Sequence, residues 1–192
     1  MKITIKKEVF QKFHPEFKVA FILIKNVDNQ TKLKESQHLL QELVKMSSFL
    51  FHKNTLKTHG LISPWATLQQ GFGKEAKHYH TSVERILKRV IRRRSIKENN
   101  ITSNLINYLS LKYIIPTAAD DFDQLEGDLV FKLAKGTERV FPLRKIKKGA
   151  LFYQDKNKVL GTKLDFWKSP KTKLKKKSKN VLIHLEVLPP VN

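Results

Sequence analysis

The sequence predicts an α+β domain, and three observations carry that reading. A nearly continuous apolar run rich in β-branched residues, "FKVAFILIKN" over 17–26, stands near the N-terminus. Two long segments with apolar residues at helical spacing fill the middle. Beyond residue 128 come short strand-like runs separated by turn signals. Strand, then helices, then a succession of strands is the order of an α+β fold rather than of alternating βαβ units. With 192 residues and a hydrophobic fraction of 40%, one sizeable core is attainable. Residues 1–192 are therefore expected to form a single domain.

Each element has its own justification. Ile3 and Ile5 alternate with Thr4 and Lys6, as in a short strand. The run 17–26, bounded by Pro15 and "NVDNQ", reads as a buried central strand. Leu33, Leu39, Leu40, Leu43 and Val44 recur at helical spacing over 32–51. Pro64 suits the first turn of a short helix after "GLIS". The clearest helix is "HTSVERILKRVIRRRS", where Thr81 and Glu84 have the spacing of a capping box. Val83, Ile86, Leu87, Val90 and Ile91 form its apolar stripe, and Arg85, Lys88, Arg89, Arg92 and Arg93 fill the other face. A second helix over 100–113 carries a polar strip of Asn104, Asn107 and Ser110. Strands are expected at 129–134, 138–143, 150–154, 159–163 and 180–187. A lysine-rich arm, 168–180, joins the last two.

The charge narrows the partners. A formal net charge of +21 and a pI near 10.1 favour polyanions, nucleic acid first. Arginines along one helix face present forked donors that match phosphates. The expected RNA-binding residues are Lys88, Arg89, Arg92, Arg93 and Arg94 on the helix, with Lys173, Lys175, Lys176 and Lys177 on the arm. Tyr79, Phe166 and Trp167 are candidates for stacking on unpaired bases. There is no cysteine, which removes disulfides and thiolate chemistry. No window holds about twenty apolar residues and no signal peptide opens the chain, so a cytoplasmic protein away from membranes is expected.

Familiar catalytic signatures are missing. "HYH" at 78–80 lacks the spacing of a zinc helix, and Gly71 and Gly73 are too few for a phosphate cradle. No metal and no cofactor is expected. One local feature runs against the whole: five of seventeen acids (Asp120, Asp121, Asp123, Glu126 and Asp128) crowd behind Pro116. Their spacing does not fit a calcium loop, and Asp after a helix end favours turns.

Three segments carry a resemblance. "FGKEAKHYHTSVERILKRV", "NYLSLKYIIPTAADDFDQLEGDL" and "GALFYQDKNKVLGTK" resemble, in order and spacing, the B3/B4 editing domain of the phenylalanyl-tRNA synthetase beta subunit. That domain also occurs as free-standing proteins, and the resemblance extends over roughly residues 1–190. It implies a three-layer α+β domain with helices packed on an unusual β-sandwich. It also implies a tRNA-binding trans-editing factor that hydrolyses the aminoacyl ester of misacylated tRNA. A non-catalytic RNA-binding module or adaptor that retains the fold is the alternative. Asn107 falls on the pocket asparagine, and Pro116 and Asp121 fall on the proline and aspartate of the family's Pro-x-His-Ala-Phe-Asp segment. Ala118 and Asp120 stand where that segment has His and Phe, and Phe166, Trp167 and Lys168 where free-standing members have Asn-Trp-Arg.

An aminoacyl ester is already activated, so a positioned water and donors to the developing oxyanion suffice. The catalytic candidates are accordingly Asn107, Thr117, Asp121 and Asp165, and the substrate-binding candidates Asn104, Ala118, Asp120 and Lys163. A lining Asp120 without a partner would select a cationic or strongly polar amino acid.

Overall fold

The computed structural model describes residues 1–71, 73–74, 80–140, 144–162 and 167–191, the side chain of 144 excepted. Its strands are β1 (Ile3–Ile5), β2 (Lys18–Ile24), β3 (Thr117–Asp121), β4 (Leu129–Leu133), β5 (Arg139–Val140), β6 (Arg144–Lys145), β7 (Leu151–Gln154), β8 (Val159–Thr162) and β9 (Val181–Val187). Its helices are α1 (Lys7–Lys12), α2 (Leu33–Leu50), α3 (Ser63–Gln70), α4 (Ser82–Ile91) and α5 (Ile101–Tyr113). None of them is long and apolar enough to cross a membrane.

The strands form two stacked sheets and a small hairpin. One sheet has the order β1-β4-β7-β8, the other β2-β9-β3, and β5 pairs with β6. Neither sheet closes into a barrel. Pairing is antiparallel except between β1 and β4. Side-chain alternation along β9 then sorts three layers. Leu182 points with Val19 and Phe21 into a core shared with Leu129, Phe131, Tyr153 and Leu160 of the four-stranded sheet. Val181 and Ile183 point the other way, with Ala119, onto Ile106 of α5. Behind α5 the helices share a third core, in which Leu40, Val83, Leu87 and Leu111 are buried.

The helix α4 forms as its periodicity predicts. Val83, Ile86, Leu87 and Val90 are buried while Arg85 and Arg89 are exposed. The Thr81 hydroxyl accepts from the Glu84 amide at 3.3 Å. The Glu84 carboxylate is buried and meets Gln69 at 2.9 Å and Lys88 at 2.8 Å, so its side chain serves packing against α3. At the other end Arg93 takes φ 53°, and its amide and that of Arg94 close the helix onto Val90 and Arg89 carbonyls.

Two expectations need correction. The apolar run of β2 is an edge strand, because among the described residues the sheet has three members and β2 meets only β9. Ile22, Leu23 and Ile24 are accordingly exposed. Run length reports apolar content, and it cannot report on which side a partner strand lies. The acidic stretch is also more than a turn, since its first two aspartates close β3. The expected strand at 138–143 is β5 in its first half, and residues 141–143 lie outside the described residues.

The lysine-rich arm lies down on the domain. Thr172, Leu174 and Ser178 are buried and alternate with exposed lysines 173, 175, 176 and 177. Asn29 donates to the Ser178 carbonyl at 2.6 Å, and the Ser178 hydroxyl donates to Asp121 at 2.5 Å. The arm thus presents its ammonium groups from an anchored backbone.

Candidate functional site

The chain leaves α5 through a strained turn that aims β3. Ile114 adopts a left-handed φ of 55° while 7% exposed, a conformation that a β-branched residue adopts only when its surroundings enforce it. The Ser110 hydroxyl, donating to the Ile115 carbonyl at 2.7 Å, holds that turn. The Thr117 amide then donates to the Ser82 hydroxyl at 2.9 Å, tying the start of β3 to the start of α4.

Two cavities meet at that point. A groove of about 130 Å³ on the α5 side is lined by Asn107, Thr117, Ala118, Lys168 and Lys173. A smaller cavity of about 20 Å³, on the side of the four-stranded sheet, shares Thr117, Ala118 and Lys168 and adds Ser82, Tyr153 and Glu186. Thr117 is 6% exposed, and its hydroxyl oxygen has no hydrogen-bond partner among the described residues. Buried polar atoms are nearly always paired, so this hydroxyl is one that a water or a bound group in the adjoining groove can satisfy.

Beneath the cleft lies a buried polar cluster. Lys168 Nζ meets Asp120 Oδ1 at 2.6 Å and donates to the Tyr153 hydroxyl at 2.7 Å. That hydroxyl in turn donates to Asp120 Oδ2 at 2.8 Å. The His184 ring lies between two carboxylates, with Nδ1 2.5 Å from Glu186 Oε1 and Nε2 3.5 Å from Asp120 Oδ2. Burial alone would raise the pKa of Asp120. The Lys168 ammonium, with His184 beside it, outweighs burial and holds the carboxyl well below its usual range. Burial, then the Asp120 charge and hydrogen bond, push the Tyr153 hydroxyl well above its ordinary value. The floor is an ionised carboxylate beneath a lysine, with a phenol locked as a donor.

These features are set in a sequence that matches the B3/4 domain over residues 65–192. The match covers two thirds of the chain. The chain belongs to the B3/4 domain family. No curated protein matches the chain as a relative. The match begins at α3, short of the 1–190 extent expected, although β1 and β2 complete the two sheets of the B3/4 fold here.

Within this B3/4 domain the expected residues fall in different places. Asn107, Thr117 and Ala118 meet at the groove, and Asp120 lies under it. Asp121 points to the opposite face of β3 from Asp120, where Ser178 and the Asp123 amide engage it. Asn104 is fully buried, accepting from the Glu98 amide at 2.8 Å and donating to Ser36 at 3.1 Å. Asp165, Lys163, Tyr79 and Phe166 lie outside the described residues. Asp123 faces Asn180, Glu126 faces Lys158 and Lys171, and Asp128 accepts from the Lys2 amide. Most of the acidic stretch therefore ties its turn to segments distant in sequence, and Asp120 alone of its five members enters the cluster. A cationic amino acid is not needed to neutralise it, because Lys168 already does so.

Sequence reasoning misses Lys168, Tyr153, His184 and Glu186 as members of the site. One signal is available: a polar residue at every other position, His184 and Glu186, on a strand that is otherwise apolar. Among the described residues no group of three or more His, Asp or Glu is placed to hold a metal.

The packing of Tyr153 yields a direct test. A Cβ on Gly161 would stand 2.5 Å from Tyr153 Cε1. Gly161→Ala must displace the ring and loosen its hydroxyl from Asp120 and Lys168. Overpacking of this kind is expected to cost about 1–3 kcal/mol, read as a lower urea midpoint at unchanged slope.

Proposed function

We propose that the chain binds tRNA and hydrolyses the aminoacyl ester of misacylated tRNA. The observation that carries this reading is the convergence of Asn107, Lys168 and an unpartnered Thr117 hydroxyl on one groove. An aminoacyl ester needs no side-chain nucleophile. Water adds to the carbonyl carbon, the bond to the ribose oxygen breaks, and that oxygen takes the proton. The amide of Asn107 and the ammonium of Lys168 are donors suited to the charge that develops on the carbonyl oxygen. Thr117, held by Ser82, orients the aminoacyl group.

RNA binding rests on the two basic clusters. Arg92, Arg93 and Arg94 are exposed past the end of α4, and Lys173 of the arm lines the groove itself. Lys88 and Arg89 contribute less freely, since Lys88 is paired with Glu84 and Arg89 donates to the Ser95 carbonyl. Affinity for tRNA should fall linearly in log K against log salt. Replacing Arg92, Arg93 and Arg94 by Ala should reduce that slope by about 2–3, since each phosphate contact contributes about 0.7–0.9. An unchanged slope would show that these arginines face solvent in the complex.

The deciding experiment incubates the protein with tRNAs carrying a panel of wrong amino acids and follows loss of the ester. Release above the spontaneous rate is expected for at least one. Tight tRNA binding with no release would instead favour a non-catalytic RNA-binding module. The engagement of Asp121 by Ser178 and the Asp123 amide, away from the groove, favours that second reading.

A further inference from the structure

The smaller cavity limits what the cleft can hold. Its volume is about 20 Å³, and about 10–15 Å³ is the least that one water needs. The Tyr153 ring sets this size. It stacks on Phe131 at 5.1 Å between centroids and meets His184 edge-on at 4.8 Å. Its hydroxyl is tied to Asp120 and Lys168, and its edge closes against the bare backbone of Gly161. To swing aside, the ring would have to break all of these contacts. A substrate's aromatic ring directed into this cavity therefore meets a place already filled by a ring of the protein.

The wall of the cavity sets a few polar groups among apolar ones such as Pro116, Ala118 and Trp167. Thr117, whose buried hydroxyl is unpartnered among the described residues, lines both this cavity and the larger groove, and Ser82, Lys168 and Glu186 contribute to the lining. Resting on the hydrolase reading above, we infer that the cleft selects an aminoacyl group with a small hydroxylated side chain, of serine's size and chemistry. A hydroxymethyl group fills a water-sized cavity and supplies the partner that the Thr117 hydroxyl lacks. Alanine fits but leaves that hydroxyl unpaired. Sites built to bond a hydroxyl discriminate against the analogue without it. Tyrosine and phenylalanine side chains directed into this cavity collide with Tyr153. Lysine is too long, and the carboxylate that would welcome it is already paired with Lys168.

The test separates selection from catalysis. Non-hydrolysable 3′-aminoacylamino-3′-deoxyadenosines bearing seryl, alanyl, tyrosyl and lysyl groups are titrated calorimetrically, and the corresponding aminoacyl-tRNAs are assayed for release. The seryl analogue should bind about tenfold tighter than the alanyl one, and the tyrosyl and lysyl analogues at least about a hundredfold weaker than the seryl. Thr117→Val keeps the β-branched shape and removes the hydroxyl, so the seryl-to-alanyl ratio should fall to about one. Thr117→Ser should keep it. Tyrosyl or lysyl binding as tight as seryl, a seryl preference surviving in Thr117→Val, or no binding of any analogue would each overturn the inference. Selective binding without ester release would keep the selection and remove the hydrolase reading. Release of all esters regardless of size would do the reverse.

Discussion

Lys168→Met should destabilise the protein by about 3–5 kcal/mol, more than Asp120→Asn does. Either substitution breaks the same ion pair, yet the two residues left behind differ. Asp120 is fully buried, whereas the Lys168 side chain retains 20% exposure. Without the lysine, a carboxylate remains in the interior with the Tyr153 hydroxyl and the His184 ring beside it. Stranding a buried charge is the expensive way to break a pair. Without the carboxylate, the lysine can turn its ammonium toward water. The amide that Asp120→Asn introduces can still accept from the Tyr153 hydroxyl, so about 1–3 kcal/mol is expected. Urea unfolding of both variants gives the comparison, and equal losses would show that the carboxylate reaches solvent.

Acid should act on the same pair. The carboxyl of Asp120 ionises in the folded state well below its ordinary 3.8. A depressed pKa means that the unfolded chain binds the proton first as pH falls. The contribution is thus fully present above about pH 5, and it is lost progressively as pH drops through 3.8 toward the folded value. Asp120→Asn should flatten the stability profile over that acid window, leaving its neutral part unchanged in shape.

The second large effect is expected at Leu87. Its side chain is fully buried among Leu40, Val83, Val90 and Leu111. Leu87→Ala should cost about 2–5 kcal/mol, from lost burial and the cavity left behind. Two residues further along the helix, Arg89 is exposed and donates one hydrogen bond to Ser95, so Arg89→Ala should cost less than about 1 kcal/mol. A reversed order would place the wrong face of α4 against the core, and with it the basic face proposed for RNA.

The contrast between α4 and β3 explains what can be read in advance. In α4 every signal is local: an N-cap, a 3.6-residue apolar period and charges on the remaining face. The structure follows them through Ile91, but the helix ends there, so Arg92 and Arg93, expected on its basic face, lie past its C-terminus. In β3 the local signals oppose the outcome, because consecutive aspartates disfavour a strand. Asp120 is accommodated there only by groups distant in sequence, Tyr153, Lys168 and His184. No window of sequence contains that constellation. The short helix α1 escapes prediction for a related reason, since Val9 alone among its residues is buried. Asn104 looks like Asn107, one turn away on the same polar strip. Burial against Ser36 and the 98–100 loop separates them, and only tertiary packing decides it.

The strand pairing also dictates an order of events during synthesis. β1 is made well before β4, its neighbour in the sheet, which begins at Leu129. β2 waits longer still: Lys18 pairs with Val187. Until β9 has left the ribosome, the seven residues of β2 have no ladder to join, and Ile22, Leu23 and Ile24 travel as an open apolar edge. Such a topology is rich in distant contacts and folds late rather than piecewise. A nascent chain arrested before residue 181 should therefore be protease-sensitive through β2 even where the helices are already protected.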